Sequence, residues 1–471
     1  MAHRRNATHA QGAADPYPFM SKRVLLCAPH YDVLKFRFDM CIRMRFARFM
    51  TRRNGDLAQQ EINMTENSPT KSTSKPVEKT GSTDPQGAVL QVERRDFIEL
   101  VPTDRPRVQS MDGFDDDYTD IVDYIVRCTH KIWDERNVGL IYTHYTHNCV
   151  LYGTMGTMYD REAVIHDTIQ RLVSFPERRG MATQVVWNGD DKEGFYTSHL
   201  VTGAGRYTQN GHLGPAKGQT YVSRTVADCM IHANKIYREW VVSDQMAILR
   251  QLGIDPHPYA EKIARKKLAA GVTNLDIGEM RGRIGQYPPE EQADTLLAHT
   301  ETEAEFLQLL HDIWNRKMFG RIDEAYSTTA MYHGPNMVDT YNRVSIMHQS
   351  LALIGSLPDA AFVPQHIATT PCEEGGYKIA VRWILEGHHL GYGLLESLGE
   401  PTGKRIQILG ISHYWIKDGK IVEEWRVYDE LSLLVQLKLA QLQDGTLTPA
   451  EPREVEPEPI KGAAEAFEAD V

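Results

Sequence analysis

At 471 residues, with 41% hydrophobic and 24% charged residues, the chain has the length for two or three globular domains and the composition of an ordinary soluble protein. A formal net charge of -11 disfavours nucleic acid and anionic membrane surfaces as partners, and without an apolar run of about 18 residues no transmembrane helix is expected. Six cysteines with no CxxC pair among them argue against a zinc ribbon or a thioredoxin-type centre and for free thiols in a reducing, cytoplasmic compartment.

The charge is unevenly spread. Residues 1–63 hold 11 Lys/Arg and 5 Asp/Glu, a net of +6 that leaves -17 for the remainder, and such asymmetry marks an appendage. The basic aromatic run KFRFDMCIRMRFARFMTRR has three readings: a transit-type segment, a binder of an acidic partner, or read-through from an upstream start codon. The third is favoured, because Met64 opens TENSPTKSTSKPVEKTGSTDPQG, a Ser/Thr/Pro/Lys stretch typical of a disordered N-terminus. Residues 1–112 are therefore expected to be a largely disordered extension in which 1–63 are dispensable.

From 113 onward the pattern turns globular. The segment GFDDDYTDIVDYIVRCTHKIWDER, 113–136, predicts an amphipathic helix with acids at its start and Ile121, Tyr124, Ile125, Cys128 and Ile132 on one face. A short helix VGLIYTHY, the piece CVLYG and a helix DREAVIHDTIQRLVSF follow. Strands are expected near 181–189, 194–202, 218–232 and 235–243, and after Asp244 a helix that closes at Gly253. The same order then recurs. Ile132, Trp133, Gly139, Tyr145 and Gly153 meet Ile313, Trp314, Gly320, Tyr326 and Gly334 at an offset of 181. His166 and Pro176 meet His348 and Pro358 at 182, and Gly218, Trp240 and Asp244 meet Gly403, Trp425 and Asp429 at 185. So small a drift predicts a tandem repeat, with domains at 113–253 and 300–442, a helical linker at 254–299 and an acidic, Pro-rich disordered tail at 443–471. Helices followed by antiparallel strands give an α+β class.

Residues 403–437, GKRIQILGISHYWIKDGKIVEEWRVYDELSLLVQL, concentrate the chemistry. Asp418-Gly419 is a hairpin signal between a strand at 405–416 and one at 420–428. Alternation puts Ile421, Glu423, Trp425, Val427 and Asp429 on one face and Val422, Glu424, Arg426 and Tyr428 on the other. Asp429 stands where the next helix begins, so it reads both as an N-cap and as a general acid or base.

The run DGKIVEEW, the aspartate after it, and the preceding VRWILEGHHLG and PTGK resemble the SnoaL-like polyketide cyclases of the nuclear transport factor 2 superfamily, over residues 300–440. The resemblance implies two tandem cone domains, each a curved sheet wrapped on helices around an apolar pocket. It also implies a cofactor-independent acid/base enzyme (a cyclase, an isomerase or a related lyase or hydrolase) acting on a small or polyketide-like carbonyl compound. Asp429 matches the family's catalytic aspartate, whose pKa must be raised by desolvation, and His389 the family's histidine. His413 is the natural partner of Asp429. In the first repeat Asp228 stands in place of His413 and Asp244 in place of Asp429, which suggests a carboxylate pair sharing a proton. Arg382 or Trp383 points into the second pocket, and Trp425, Tyr332, Tyr341 and Trp240 complete the candidate ligand wall. The first repeat has no counterpart of VRWILEGHHLG.

Metal binding is not expected. His144 with His147, and His388-His389, lack the acidic helical context of a zinc site, and no nucleotide-binding or nucleophile-elbow motif is present. The alternative to catalysis is a hydrophobic-ligand binder or a domain-pairing module, with an apolar small molecule as partner in the first case. The repeats are expected to pair through the outer faces of their sheets, with Ile408 and Tyr414 outward if His413 faces in, and a homodimer is the other assembly considered.

Overall fold

The computed structural model describes residues 106–275, 277, 289–447 and 456–457, all inside one compact unit that spans Lys71–Val471. The readings given above for residues 1–105, for 278–288 of the linker and for most of the tail lie outside the described residues.

The first domain runs α1 (Ile121–Trp133), α2 (Ile141–His144), β1 (Tyr145–Gly153), β2 (Gly156–Tyr159), α3 (Arg161–Ser174), β3 (Arg179–Asp190), β4 (Gly194–Arg206), β5 (Thr220–His232), β6 (Lys235–Ser243) and α4 (Gln245–Gln251). After α5 (Pro256–Ala269) the second runs α6 (Glu301–Trp314), α7 (Arg321–Ala325), β7 (Tyr326–His333), β8 (Asp339–Tyr341), α8 (Arg343–Ser356), β9 (Ala361–Pro371), β10 (Tyr377–His388), β11 (Arg405–Lys417), β12 (Lys420–Val427) and α9 (Glu430–Asp444). Both sheets have six strands in one order, β2-β1-β6-β5-β4-β3 and β8-β7-β12-β11-β10-β9. The pairs β1 with β6 and β7 with β12 are parallel, and the rest are antiparallel. The α+β class and the repeated architecture are as the sequence implies.

Local chemistry sets the element boundaries. The first helix starts at Ile121, later than its acidic lead suggests, because Asp120 takes an extended conformation and accepts a hydrogen bond from Asp123 N at 2.8 Å. The preceding residues fold back so that Met111, Phe114 and Tyr118 are buried. Asp160 and Asn342, at φ +73° and +65°, open α3 and α8 with side chains that accept from Ala163 N and Ser345 N. The β11–β12 turn has Asp418 and Gly419 at φ +52° and +70°; the matching β5–β6 turn uses Ala233 and Asn234 at +44° and +67°. Only the first of these announces itself in sequence.

Each sheet closes over its leading helix. Ile121, Ile125, Cys128 and Ile132 of α1 pack with Val185, Trp187, Phe195, Cys229 and Ile231. In the second domain Phe306 of α6 meets Tyr414 edge-on at 4.9 Å, and Trp383 fills the adjacent space. A Cβ on Gly410 would lie 2.1 Å from the Trp383 ring, so the indole position depends on glycine there. Gly410→Ala is expected to destabilise the chain by about 1–3 kcal/mol through overpacking, read as a lower denaturant midpoint; an unchanged midpoint would mean that the indole moves freely.

Candidate functional site

Strand alternation gives each sheet one face toward its own helices and one toward the other sheet. Gln184, Val186, Tyr196, Ser198, Asp228 and Trp240 belong to the second kind in the first domain, and His366, Ala368, Ala380, Arg382, His413 and Trp425 in the second. These faces meet. Arg382 Nη1 donates to Asp228 Oδ2 at 2.8 Å, Tyr196 OH donates to the same oxygen at 2.6 Å, and the Arg382 guanidinium lies 3.5 Å from the Trp240 ring centre. The Tyr196 ring stacks on His366 at 3.7 Å. His413 is held by Ser198 Oγ at Nε2, 2.7 Å, and by Gln184 Oε1 at Nδ1, 2.8 Å. Burial, with the charges of Lys378 and His199, pushes its imidazole down to about 3, so it is neutral, donating to Gln184 and accepting from Ser198.

Several expectations are corrected by this geometry. Both nitrogens of His413 are taken by the other sheet, so it does not partner Asp429. Asp228 is bound to Arg382 and does not form a dyad with Asp244. Arg382 faces the opposite sheet while Trp383 points into its own cone, and Tyr414, with Ile408 on its face by alternation, also points inward because His413 points out.

Asp429 and Asp244 sit at helix starts, both buried. Asp244 caps α4, accepting from Ala247 N at 3.2 Å. Asp429 caps two helices: it accepts from Leu431 N of its own α9 and from Gln245 N and Met246 N of α4, each at 3.2 Å, with Gln245 Nε2 at 3.1 Å and Thr154 Oγ1 at 3.4 Å. Burial and the charge of Asp244 push Asp429 up to about 7; burial, with the charge of Glu430, also brings Asp244 to about 7. Because the folded values lie above the unfolded value, 3.8, this pair contributes its full stability below about pH 4 and loses it as pH rises through about 7. Asp429→Asn keeps an acceptor for the cap and removes the charge. Its melting temperature is expected to fall less between pH 4 and pH 8 than that of the parent, and to exceed the parent's at pH 8; parallel curves would contradict this.

The cone interiors hold different carboxylates. In the first domain Trp187, Thr197, Cys229, Glu239 and Leu151 lie side by side across five strands on the inner face. Tyr145 OH donates to Glu239 Oε2 at 3.0 Å. Burial raises the Glu239 carboxyl to about 7, against the opposing hydrogen bonds of Tyr145 and Cys229. The matching row of the second domain reads Thr369, Ile379, Tyr414, Glu424 and Tyr332. There Tyr326 OH donates to Glu424 at 2.6 Å, and Arg426 neutralises it with contacts of 2.7 and 2.8 Å. Arg426 also covers the rings of Trp314 and Tyr332. The space among Trp314, Leu353, Phe362, Trp383, Tyr414 and Arg426 leaves ≈ 0 Å³ for a water molecule.

The remaining sequence candidates scatter. Tyr332 is buried in the second cone and Tyr341 is exposed at the end of β8. Trp425 stacks on His333 at 5.1 Å, and Trp240 on Tyr152 at 5.3 Å. His389 is buried after β10, where burial lowers its pKa and its Nδ1 lies 3.4 Å from Thr402 Oγ1. Among the described residues no group of three or more His, Cys, Asp or Glu is arranged to hold a metal, the four cysteines Cys128, Cys149, Cys229 and Cys372 are free and buried, and no helix is long and apolar enough to cross a membrane.

Two curved mixed sheets wrapped on helices, each with a buried tyrosine–carboxylate pair, define a tandem α+β protein of the nuclear transport factor 2 type. Residues 304–437, within the second domain, match the family model of the SnoaL-like polyketide cyclases. Solved structures similar to the chain include IdmH of Streptomyces antibioticus, described as a candidate polyketide cyclase, at 22% identity over 28% of this chain and 96% of that one, with a TM-score of 0.24. AclR of Streptomyces galilaeus, described as a candidate hydroxylase, is similar at 23% identity over 30% and 97%, TM-score 0.24. TsrD of Streptomyces laurentii is similar at 19% identity over 30% and 94%, TM-score 0.24. No curated protein matches the chain.

Sequence reasoning missed Glu239 and its tyrosine. The signal existed: Glu239 meets Glu424 at the offset of 185 that aligns Trp240 with Trp425, and Tyr145 meets Tyr326 at 181. The more prominent aspartates and tryptophans drew the reading to the opposite face of the same strands.

Proposed function

We propose that the protein is a cofactor-independent acid/base enzyme that abstracts a proton next to the carbonyl of a small compound, and that it does so in the first cone. The observation that carries this reading is Glu239: a buried carboxyl raised to about 7, held by Tyr145 and without the arginine that neutralises its counterpart in the second domain. A base with a pKa near the working pH balances ionised fraction against proton affinity. The second domain, with its closed cone, serves in this reading as the packing partner, and Asp429, Asp244, Asp228 and His413 hold the two sheets together. Native mass spectrometry of the purified full chain should identify a retained carbonyl ligand, and α-proton exchange of that ligand in deuterated buffer should be faster with the protein than without it. Exchange at the buffer rate would refute the reading.

A further inference from the structure

Away from both cones, α5 presents a basic face. The helix packs along α9 and buries Ala260 and Ala264, whereas Lys262 and Lys266, one turn apart, point the other way and are exposed. Beside them stand His212, held by Ser174 Oγ at 3.1 Å, and the exposed Arg171, paired with Asp167 at 2.7 Å. Burial, and then the charges of Arg171, Lys262 and Lys266, lower the His212 pKa against the pull of Asp167, so these cations lie near one another. Lys267 donates to Met155 O in the β1–β2 turn at 2.8 Å, and Arg265 is paired with Glu261 at 2.7 Å. Among the described residues no ion pair takes Lys262 or Lys266.

The acidic C-terminal stretch leaves the fold at the end of this helix. Gly445, at φ +72°, stops α9. Thr446 N and Leu447 N then donate to Gln441 O at 3.0 and 3.2 Å, and Gln443 Nε2 donates to Thr273 O just past the last turn of α5. Residues 448–471 hold seven Asp/Glu and two Lys/Arg, with Glu451, Glu454, Glu456 and Glu458 inside eight residues. Glu456 is exposed, so its carboxylate is open to a cation.

Reach and charge agree. From Leu447 an extended chain covers at most about 13 Å to Glu451 and about 37 Å to Glu458, whereas α5 from Ala269 back to Lys262 is only about 10 Å long. Tethering holds these carboxylates near the helix at an effective concentration on the order of mM. Single surface ion pairs contribute little, but several acids on one short tether meet two lysines that lack any other carboxylate partner.

We propose that residues 451–458 dock on the α5 face through Lys262 and Lys266, with Arg171 at the rim, as a cover held by charge. An acidic partner for this face must then displace a segment of the same chain. The test is zero-length carbodiimide cross-linking of the full chain, read by mass spectrometry of the monomer. Glu451, Glu454, Glu456 or Glu458 should be joined to Lys262 or Lys266, and these links should fade at about 0.5 M sodium chloride, where the screening length is only a few ångströms. The exposed Lys192, in the β3–β4 turn, serves as the comparison. In the full chain with all four glutamates changed to Gln, acylation of Lys262 and Lys266 by a soluble amine reagent should be about twofold faster or more, while that of Lys192 stays the same. Links to Lys192 as frequent as those to α5, or no links at all, overturn the proposal. Links confined to a cross-linked dimer assign the face to the tail of a second copy and overturn it too. Links that survive the salt, or unchanged acylation in the Gln variant, refute docking by charge.

Discussion

Glu239→Gln is expected to lower turnover of the carbonyl substrate by about 10²–10⁴-fold, the usual contribution of a positioned general base, with little change in substrate affinity. Glutamine keeps the shape and can still accept from the Tyr145 hydroxyl at the site where Glu239 Oε2 now lies 3.0 Å from it, so folding should survive while the proton acceptor is lost. The parent's rate should rise with pH through about 7, since the base must be ionised to act and burial holds Glu239 at about 7. Tyr145→Phe removes a hydrogen bond that favours the carboxylate, and should displace that pH profile upward as well as lower the rate. Asp429→Asn and Asp244→Asn should leave turnover unchanged. Loss of turnover in Asp429→Asn with full activity in Glu239→Gln would return the chemistry to the interdomain aspartates.

Arg382→Met should destabilise the chain by about 3–5 kcal/mol, the cost of leaving one member of a buried ion pair without its partner. Asp228 would lose the 2.8 Å contact to Arg382 and keep the Tyr196 hydroxyl at 2.6 Å. Burial already pushes the Asp228 carboxyl up, against the guanidinium that opposes the shift, so without Arg382 it would have to take a proton to stay inside. The loss is expected to grow with pH for that reason. Removing both charges, as in Arg382→Met with Asp228→Asn, should recover most of the stability, since no ion is then left buried. Denaturant unfolding of the two variants and of Asp228→Asn alone closes the cycle. Equal losses in the single and double variants would show that Arg382 acts through its packing on Trp240 and not through its charge.

The sequence by itself determined the two domains and the class of each, because these depend on local signals: the apolar stripe of 121–132, the period-two alternation of 405–428, the Asp418-Gly419 turn and a repeat offset that barely drifts. It also placed Asp244 and Asp429 at helix starts, since a cap is read from the residues beside it. What the sequence left undecided is which face of each strand meets which neighbour. Alternation separates Arg382 from Trp383 and His413 from Tyr414, but it cannot say which set lines the cone when both faces are buried, as they are where two sheets pack face to face. Only the tertiary structure turned Arg382, His413 and Asp228 toward the opposite sheet, closed the second cone on Arg426, and left Glu239 in the first cone hydrogen-bonded by Tyr145, with Val241 where the second domain has Arg426. The reason is that burial, which raises Glu239 to about 7, comes from residues distant in the chain, and a single strand carries no record of them.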